Sequence, residues 1–175
     1  QCTGAAAGGD PAGYHIYYKF DENTGTNVND ESANNLDCTF TNSPTWGPGK
    51  TGSAMVVAAG GTAHCAIPWG SGVNPYSTDL TIVAPVLIAD GAESTSHFVF
   101  GPSHGTSQRF YICSYQGTWR IAYQAVACES TAASNLSVTS GWNHLILRTN
   151  GTTHVATLYL NSVAGSGGAS VTLTS

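Results

Sequence analysis

Short runs of alternating apolar and polar residues fill most of the chain. Clusters of Gly, Pro, Asn and Ser interrupt these runs every ~8–12 residues, a spacing typical of all-β sandwiches. No segment shows the 3.6-residue apolar period of an amphipathic helix. The pattern predicts strands at His15–Phe20, Leu36–Phe40, Ala54–Ala59, His64–Ile67, Leu80–Ile88, His97–Phe100, Arg109–Tyr115, Trp119–Val126, Leu136–Val138, Trp142–Arg148 and His154–Leu160.

The clearest predicted hairpin runs from Trp142 to Leu160. Asn150-Gly151 lies at its centre. This dipeptide favours a two-residue type I′ turn, because both turn residues must adopt a positive φ. A two-residue turn at this position predicts that Leu147 pairs with His154.

Three segments carry a more specific pattern. Residues 17–30 read YYKFDENTGTNVND, and the alternation places Tyr18 and Phe20 on one buried face. Residues 44–57 read PTWGPGKTGSAMVV, and residues 141–162 read GWNHLILRTNGTTHVATLYLNS. In this order they resemble the laminin-G-like jelly rolls of the concanavalin A-like lectin/glucanase superfamily. The resemblance implies a two-sheet antiparallel β-sandwich over residues 14–175. Residues 1–13 have the composition of a flexible leader.

The resemblance breaks down at the C-terminal end. Family members close with a strand of the type Phe-x-Gly-x-Ile-Asp-Glu-Val beside the N-terminal strand, whereas this sequence ends in a Gly/Ser/Ala stretch and VTLTS. Three explanations stay open: the sequence is incomplete, Val171–Leu173 ends the fold differently, or a strand from another molecule fills the gap. A missing strand leaves an open sheet edge, which invites strand addition from a partner.

Charged residues make up 9% of the chain, against roughly 25% in an ordinary soluble domain. With only 5 Lys and Arg, the sequence argues against a nucleic-acid partner, which needs clustered cations. No apolar run is long enough to span a membrane. Either the surface is rich in Ser, Thr and Asn, as in many secreted β proteins, or it carries glycans or is buried against identical subunits.

The cysteines lack metal-ligand spacing, and in a β chain of this composition disulfides are the preferred interpretation. Cys113–Cys128 is the first predicted pair, because these residues flank a predicted hairpin. Cys38–Cys65 is the second. Cys2 is then left over in the leader, either as a free thiol or bonded to a neighbouring chain. Disulfides of this kind predict an extracellular or surface-exposed protein.

The carboxylates do not form the pattern expected of a glycosidase, which needs two of them facing one cleft. Asp21 and Glu22 are adjacent, and adjacent strand residues point to opposite faces. A polysaccharide hydrolase or lyase is therefore the third hypothesis only, and no catalytic activity is predicted. The resemblance does imply a structural calcium ion near the end of the first strand, with Asp21 and Asp30 as candidate ligands.

Glycan recognition uses aromatic rings beside amide and hydroxyl groups. The loop from Trp69 to Tyr76, with Asn74 between them, is the best local candidate for such a site. Tyr115, Trp119 and Tyr123 are further aromatic candidates. Asn135 and Asn150 begin N-glycosylation sequons, although about two sequons are expected by chance in this composition.

The predicted function is a non-catalytic extracellular binding or adhesion module, directed at a glycan or a cell surface. The alternative is a self-assembling structural subunit of an extracellular filament, an appendage or a virion surface. The low charge, Cys2, the leader and the missing closing strand motivate this alternative.

Overall fold

The computed structural model describes residues 16–57, 63–68, 79–88, 97–100, 103–104, 108–123, 136–161 and 169–172. This part of the chain contains strands and turns without a helix, and every strand pairing in it is antiparallel. The prediction of an all-β protein is therefore confirmed for these residues. The predicted leader, residues 1–13, lies outside them.

The strands follow one another in the order β1 Asn27–Val28, β2 Cys38–Thr41, β3 Thr45–Pro48, β4 Ser53–Val56, β5 His64–Ala66, β6 Leu80–Ile88, β7 His97–Phe100, β8 Ser103–His104, β9 Gln108–Tyr115, β10 Thr118–Tyr123, β11 Gly141–Asn150, β12 Val155–Leu160 and β13 Ala169–Thr172. β6 and β7 have the predicted bounds. β3 was not predicted, and it pairs with β4 across the turn Gly49-Lys50-Thr51-Gly52. The chain divides into two compact units, residues 1–70 and 71–175.

The first unit contains the sheet β1-β2-β5 and the hairpin β3-β4. Its core is formed by Val28, Cys38 and Phe40, which are all buried. Half-buried side chains pack against this core, namely Tyr18, Phe20, Trp46, Met55, Cys65 and Ile67. The rings of Tyr18 and Phe20 meet edge to face at 5.9 Å, so the shared face predicted for them is present.

The predicted strand His15–Phe20 is not formed as a strand in its described part, residues 16–20. It makes a single bridge, between Tyr18 and Asp30, and Phe20 adopts a positive φ of 57°. A strand does not form here because the amide of Tyr17 donates to a side chain, Asp30 Oδ1, at 2.8 Å. A carboxylate thus takes the place of a carbonyl acceptor in a strand ladder.

The Cys38–Cys65 disulfide joins β2 to β5, which confirms that prediction. Phe40 is the residue directly opposite Cys65 in the sheet register, so the bond runs diagonally across the face that Cys38 and Phe40 share. Cys113 is also disulfide-bonded. Its predicted partner Cys128 lies outside the described residues, as does Cys2.

The second unit contains two sheets that share one core, which fits a β-sandwich. One layer is the sheet β13-β12-β11-β6, and the other is β10-β9-β7 with β8 paired to β9. Strand alternation aims apolar side chains from both sheets into one core. This core comprises Ile88, Ile112, Trp119, Ile121, Leu136, Val138, Leu145, Leu147, Ala156 and Leu158.

The predicted register of the β11-β12 hairpin is wrong. Leu147 pairs with Leu158 rather than with His154, and the strands end at the pair Asn150 and Val155. The loop therefore has four residues, and the side chain of Asn150 closes it by accepting hydrogen bonds from the amides of Thr152 and Thr153 at 3.0 and 2.7 Å. The observed partner of Leu147 lies four residues beyond the predicted one. Because this number is even, the same residues of β11 and β12 face the core in either register.

The C-terminal strand β13 pairs with β12 and forms one side of its sheet. Val171 pairs with Ala156, so the segment that ends in VTLTS adds a strand to the second unit. The several antiparallel sheets fit a β-sandwich, while the jelly-roll topology stays a prediction.

Candidate functional site

An open cleft of about 490 Å³ lies in the first unit. It is where the segment after Phe20 meets the β3-β4 hairpin. Its walls are formed by Asp21, Asn23, Gly47, Pro48, Gly52 and Ser53, and these residues are here called the Asp21 cleft. The volume is within the usual range for a small-molecule site, which is roughly 300–1,000 Å³.

Side-chain hydrogen bonds hold the segment from Phe20 to Gly25 against the hairpin. Ser53 Oγ donates to the carbonyl of Phe20 at 2.7 Å, and Trp46 Nε1 donates to the carbonyl of Gly25 at 2.9 Å. Asn23 and Gly25 have positive φ angles of 56° and 73°, which turn the chain back on itself. This turn carries Asp21 and Asn23 to the rim of the cleft.

Two glycines shape the hairpin turn beside this segment. A Cβ atom at Gly49 would lie 2.3 Å from the carbonyl oxygen of Ser53, so any side chain there would clash with backbone. Gly52 has a φ of 68°, and a Cβ atom built on it would lie 3.7 Å from the Cβ atom of Asp21. Asp21 therefore sits directly beside the turn.

The polar groups of the cleft suit hydroxyl-rich ligands. Asp21 and Asn23 are exposed, so their carboxylate and amide reach solvent, where they accept and donate hydrogen bonds. Ser53 donates its proton to Phe20 and keeps acceptor capacity on its oxygen. Sugar hydroxyls both donate and accept, and they are matched by this mixture of groups.

Asp30 has a different environment from Asp21. It is buried, and its carboxylate accepts hydrogen bonds from Tyr17 N, Ser32 N, Ser32 Oγ and Leu36 N at 2.7–2.9 Å. Burial alone would raise the pKa of Asp30, but these hydrogen bonds outweigh it and lower the pKa below its ordinary value. Asp30 is thus saturated with protein donors.

Tyr18 is held beside Asp30, because its hydroxyl donates to the carbonyl of Leu36, whose amide donates to Asp30. Burial, together with the nearby carboxylates of Asp30 and Asp37, raises the pKa of Tyr18. Within the described residues, no group of three or more His, Cys, Asp or Glu side chains is arranged to hold a metal ion. Calcium at Asp21 and Asp30 stays a prediction, and Asp21 is the one of the two with an accessible carboxylate.

The predicted glycan loop, with Trp69, Asn74 and Tyr76, lies outside the described residues. Among the further aromatic candidates, Trp119 is fully buried in the core of the second unit and is unsuitable for stacking on a sugar. Tyr115 is half-buried, with the guanidinium of Arg120 5.1 Å from its ring centre. The side chain of Tyr123 is not among those described.

The sequon residue Asn150 lies at the exposed end of the β11-β12 hairpin. Its Oδ1 atom is turned into the loop by the amides of Thr152 and Thr153. The sequon is therefore in an accessible turn, while Asn135 lies outside the described residues.

Comparisons with protein-family models, with curated proteins and with solved structures find no significant match to this chain. The resemblance to laminin-G-like jelly rolls accordingly stays a prediction. The part of the chain that the structure describes has no helix long and apolar enough to cross a membrane.

Sequence reasoning missed the cleft, although Asp21 and residues 44–57 both belong to the patterns that it singled out. Asn23 and Ser53 were not predicted as site residues. Both segments have the composition of ordinary turns. They are brought together by contacts between residues far apart in sequence, such as the hydrogen bonds from Ser53 to Phe20 and from Trp46 to Gly25, 33 and 21 residues apart. Turn composition predicts that a chain reverses, but it does not predict which two turns will meet.

Proposed function

We propose that this protein is a non-catalytic extracellular binding or adhesion module directed at glycans. The observation that carries the proposal is the Asp21 cleft, where an exposed carboxylate and an exposed amide flank an open depression. The Cys38–Cys65 disulfide supports an extracellular location, since such bonds persist in oxidising compartments. The loop from Trp69 to Tyr76 is proposed as a second region of this chain that contacts glycans.

A glycan array tests the proposal, followed by calorimetric titration with the best oligosaccharide. Asp21→Ala and Asn23→Ala should each weaken binding by about tenfold or more, equivalent to about 1.4 kcal/mol. Asn35→Ala is a matched control, because Asn35 is also exposed and also has a positive φ, 49°. Equal affinities for the three variants would exclude the cleft as the site.

The calcium hypothesis is tested in the same titration. If a calcium ion at Asp21 bridges the ligand, then chelation with EDTA should abolish binding and added Ca²⁺ should restore it. Binding that is insensitive to EDTA yet lost in Asp21→Ala would assign Asp21 to direct hydrogen bonding. Trp69→Ala and Tyr76→Ala then test whether the aromatic loop contributes.

A second candidate function, a self-assembling structural subunit, is supported by a separate observation in the second unit. Val83 and Leu87 on β6 are about half exposed. They lie on the same face of the strand, and contiguous exposed apolar patches often mark contact surfaces.

A further inference from the structure

One side of the sheet β13-β12-β11-β6 faces away from the core and is largely apolar. Its Val83 and Leu87 side chains are 50% and 51% exposed. Thr81, Pro85 and Arg148 on this side are also exposed, whereas Trp142, His144, Ile146 and Tyr159 are half-buried. The name outer face is used for Val83, Leu87, Trp142, Ile146, Arg148 and Tyr159.

The outer face is continuous across three strands. Leu87 lies directly opposite Trp142, and Val83, Ile146 and Tyr159 form one row across β6, β11 and β12. Arg148 is its single formally charged side chain, six positions along β11 from Trp142, a separation of roughly 20 Å. The face therefore has an aromatic end and a cationic end.

In the part of the chain that the structure describes, β6 pairs only with β11, and its other edge is less suited to association than its face. The amide of Leu80 points towards β11, where it donates to Thr149 Oγ1 at 3.1 Å. Backbone groups alternate in direction along an antiparallel strand, so the position of Pro85, five residues later, points to the open edge. Proline has no N–H to donate, and this gap in mid-strand hinders the addition of another strand.

We propose that a second copy of this chain packs its outer face against this one, with the strands of the two sheets antiparallel. A two-fold axis across the strands, at the level of Leu145, brings the guanidinium of Arg148 in each copy over the indole of Trp142 in the other. That is a favourable cation–π contact. A two-fold axis along the strands would instead bring the two Arg148 side chains together.

The chemistry of the face favours a protein partner of its own kind. Its two exposed apolar side chains, Val83 and Leu87, are aliphatic and cannot stack on a sugar as an aromatic ring does, while its aromatic Trp142 and Tyr159 are half-buried. Identical apolar faces complement each other when sheets stack. Three strands and about eight residues give a footprint of roughly 400 Å² per copy, or about 800 Å² in total. This is below the size of most stable, specific interfaces, so a weak, transient and concentration-dependent dimer is expected.

Sedimentation velocity of the full chain, from about 10 µM to about 1 mM, tests the proposal. In the proposed arrangement Leu87 faces Thr81 of the second copy, and Thr81 is the direct neighbour of Arg148. Leu87→Lys should therefore raise the dimer dissociation constant by at least about tenfold. Leu87→Glu should raise it less, because its carboxylate meets Arg148 of the second copy. Combining either variant with Arg148→Ala should remove the difference.

Val56→Lys is the matched control, since Val56 in the first unit is 44% exposed and lies outside the outer face. Its dissociation constant should equal that of the unchanged chain. A monomer of 18.0 kDa at every concentration would overturn the proposal. So would equal effects of Val56→Lys and Leu87→Lys, or equal effects of Leu87→Lys and Leu87→Glu.

The inference is independent of the glycan proposal. It gives the second candidate function one pairwise contact, and a filament would need a further contact because a two-fold dimer is closed. Leu87→Lys should bind glycans normally, and Asp21→Ala should dimerise normally. If Leu87→Lys instead abolished glycan retention and left the mass unchanged, then the outer face would be a ligand surface and the dimer would be rejected.

Discussion

Both ends of the Asn143 side-chain amide are hydrogen-bonded to Thr139. Asn143 Oδ1 accepts from Thr139 N and Oγ1 at 3.3 and 3.1 Å, while Nδ2 donates to the carbonyl of Thr139 at 2.8 Å and to that of Gly141 at 3.0 Å. Asn143 is fully buried, so these four bonds satisfy the whole amide. They fix the turn that leads into β11.

Asn143→Ala should lower the free energy of unfolding by about 2–4 kcal/mol, because it removes the four hydrogen bonds of a fully buried amide that fix the turn into β11. Asn143→Asp should be at least as destabilising at pH 7, since a buried carboxylate would face two carbonyl oxygens. These surroundings will raise the pKa of the new Asp, so its deficit should shrink as the pH falls from 7 to 5. Urea denaturation followed by tryptophan fluorescence measures both, and a deficit that grows towards pH 5 would contradict the assigned donors.

The acid stability of the first unit should depend on Asp30. Its hydrogen bonds lower its pKa in the folded state, so their contribution is fully present above the unfolded pKa of about 4. It is lost as the pH falls through the lower, folded pKa. Asp30→Asn should destabilise the unit by about 1–3 kcal/mol at pH 7, and by progressively less as the pH approaches 2.

Hydrogen exchange of the Leu36 amide, which donates to Asp30 Oδ2 at 2.9 Å, reports this change directly. Glu31→Gln is the control, since Glu31 is an exposed neighbour whose ion pair with Lys19 spans 3.0 Å. Such exposed ion pairs contribute little to stability, because water and salt screen them. If both variants showed the same pH profile, then Asp30 would have no special role.

Alternation predicted the strands better than it predicted their partners. Leu80–Ile88 was found with its predicted bounds, because the polarity of each residue indicates which face of the sheet it occupies. The β11-β12 register was missed, because it depends on how the loop is stabilised. The loop amide of Gly151 donates to Asp79 at 2.8 Å, 72 residues away, and a local pattern contains no information about that contact.

The same reasoning explains which part of the candidate site was predictable. Asp21 was singled out because its segment resembles a family motif. Asn23 and Ser53 were not, because their roles depend on two turns that meet only in the folded unit. The disulfide between Cys38 and Cys65 was predictable since each cysteine lies on a short strand, and short antiparallel strands offer few alternative partners.

The Cys38–Cys65 disulfide should contribute about 3.5 kcal/mol to the stability of the first unit, from the entropy of a loop of about 27 residues in the unfolded chain. The double variant Cys38→Ala/Cys65→Ala should therefore unfold at a lower urea concentration than the unchanged chain. Dithiothreitol should destabilise the unchanged chain more than this variant. If the double variant lost less than about 1 kcal/mol of unfolding free energy, then the core of Val28 and Phe40 would stabilise the unit without the disulfide.

Ser114 is the clearest case in which a substitution should stabilise the protein. It is 2% exposed, lies opposite Trp119 in the β9-β10 pair, and its Oγ has no hydrogen-bond partner in the part of the chain that the structure describes. A buried hydroxyl without a partner destabilises the folded state, so Ser114→Ala should raise the free energy of unfolding by about 1 kcal/mol. Ser53→Ala should have the opposite effect, because Ser53 Oγ donates to Phe20. Urea denaturation of the two variants provides the comparison, and a loss of stability in Ser114→Ala would show that its hydroxyl is hydrogen-bonded after all.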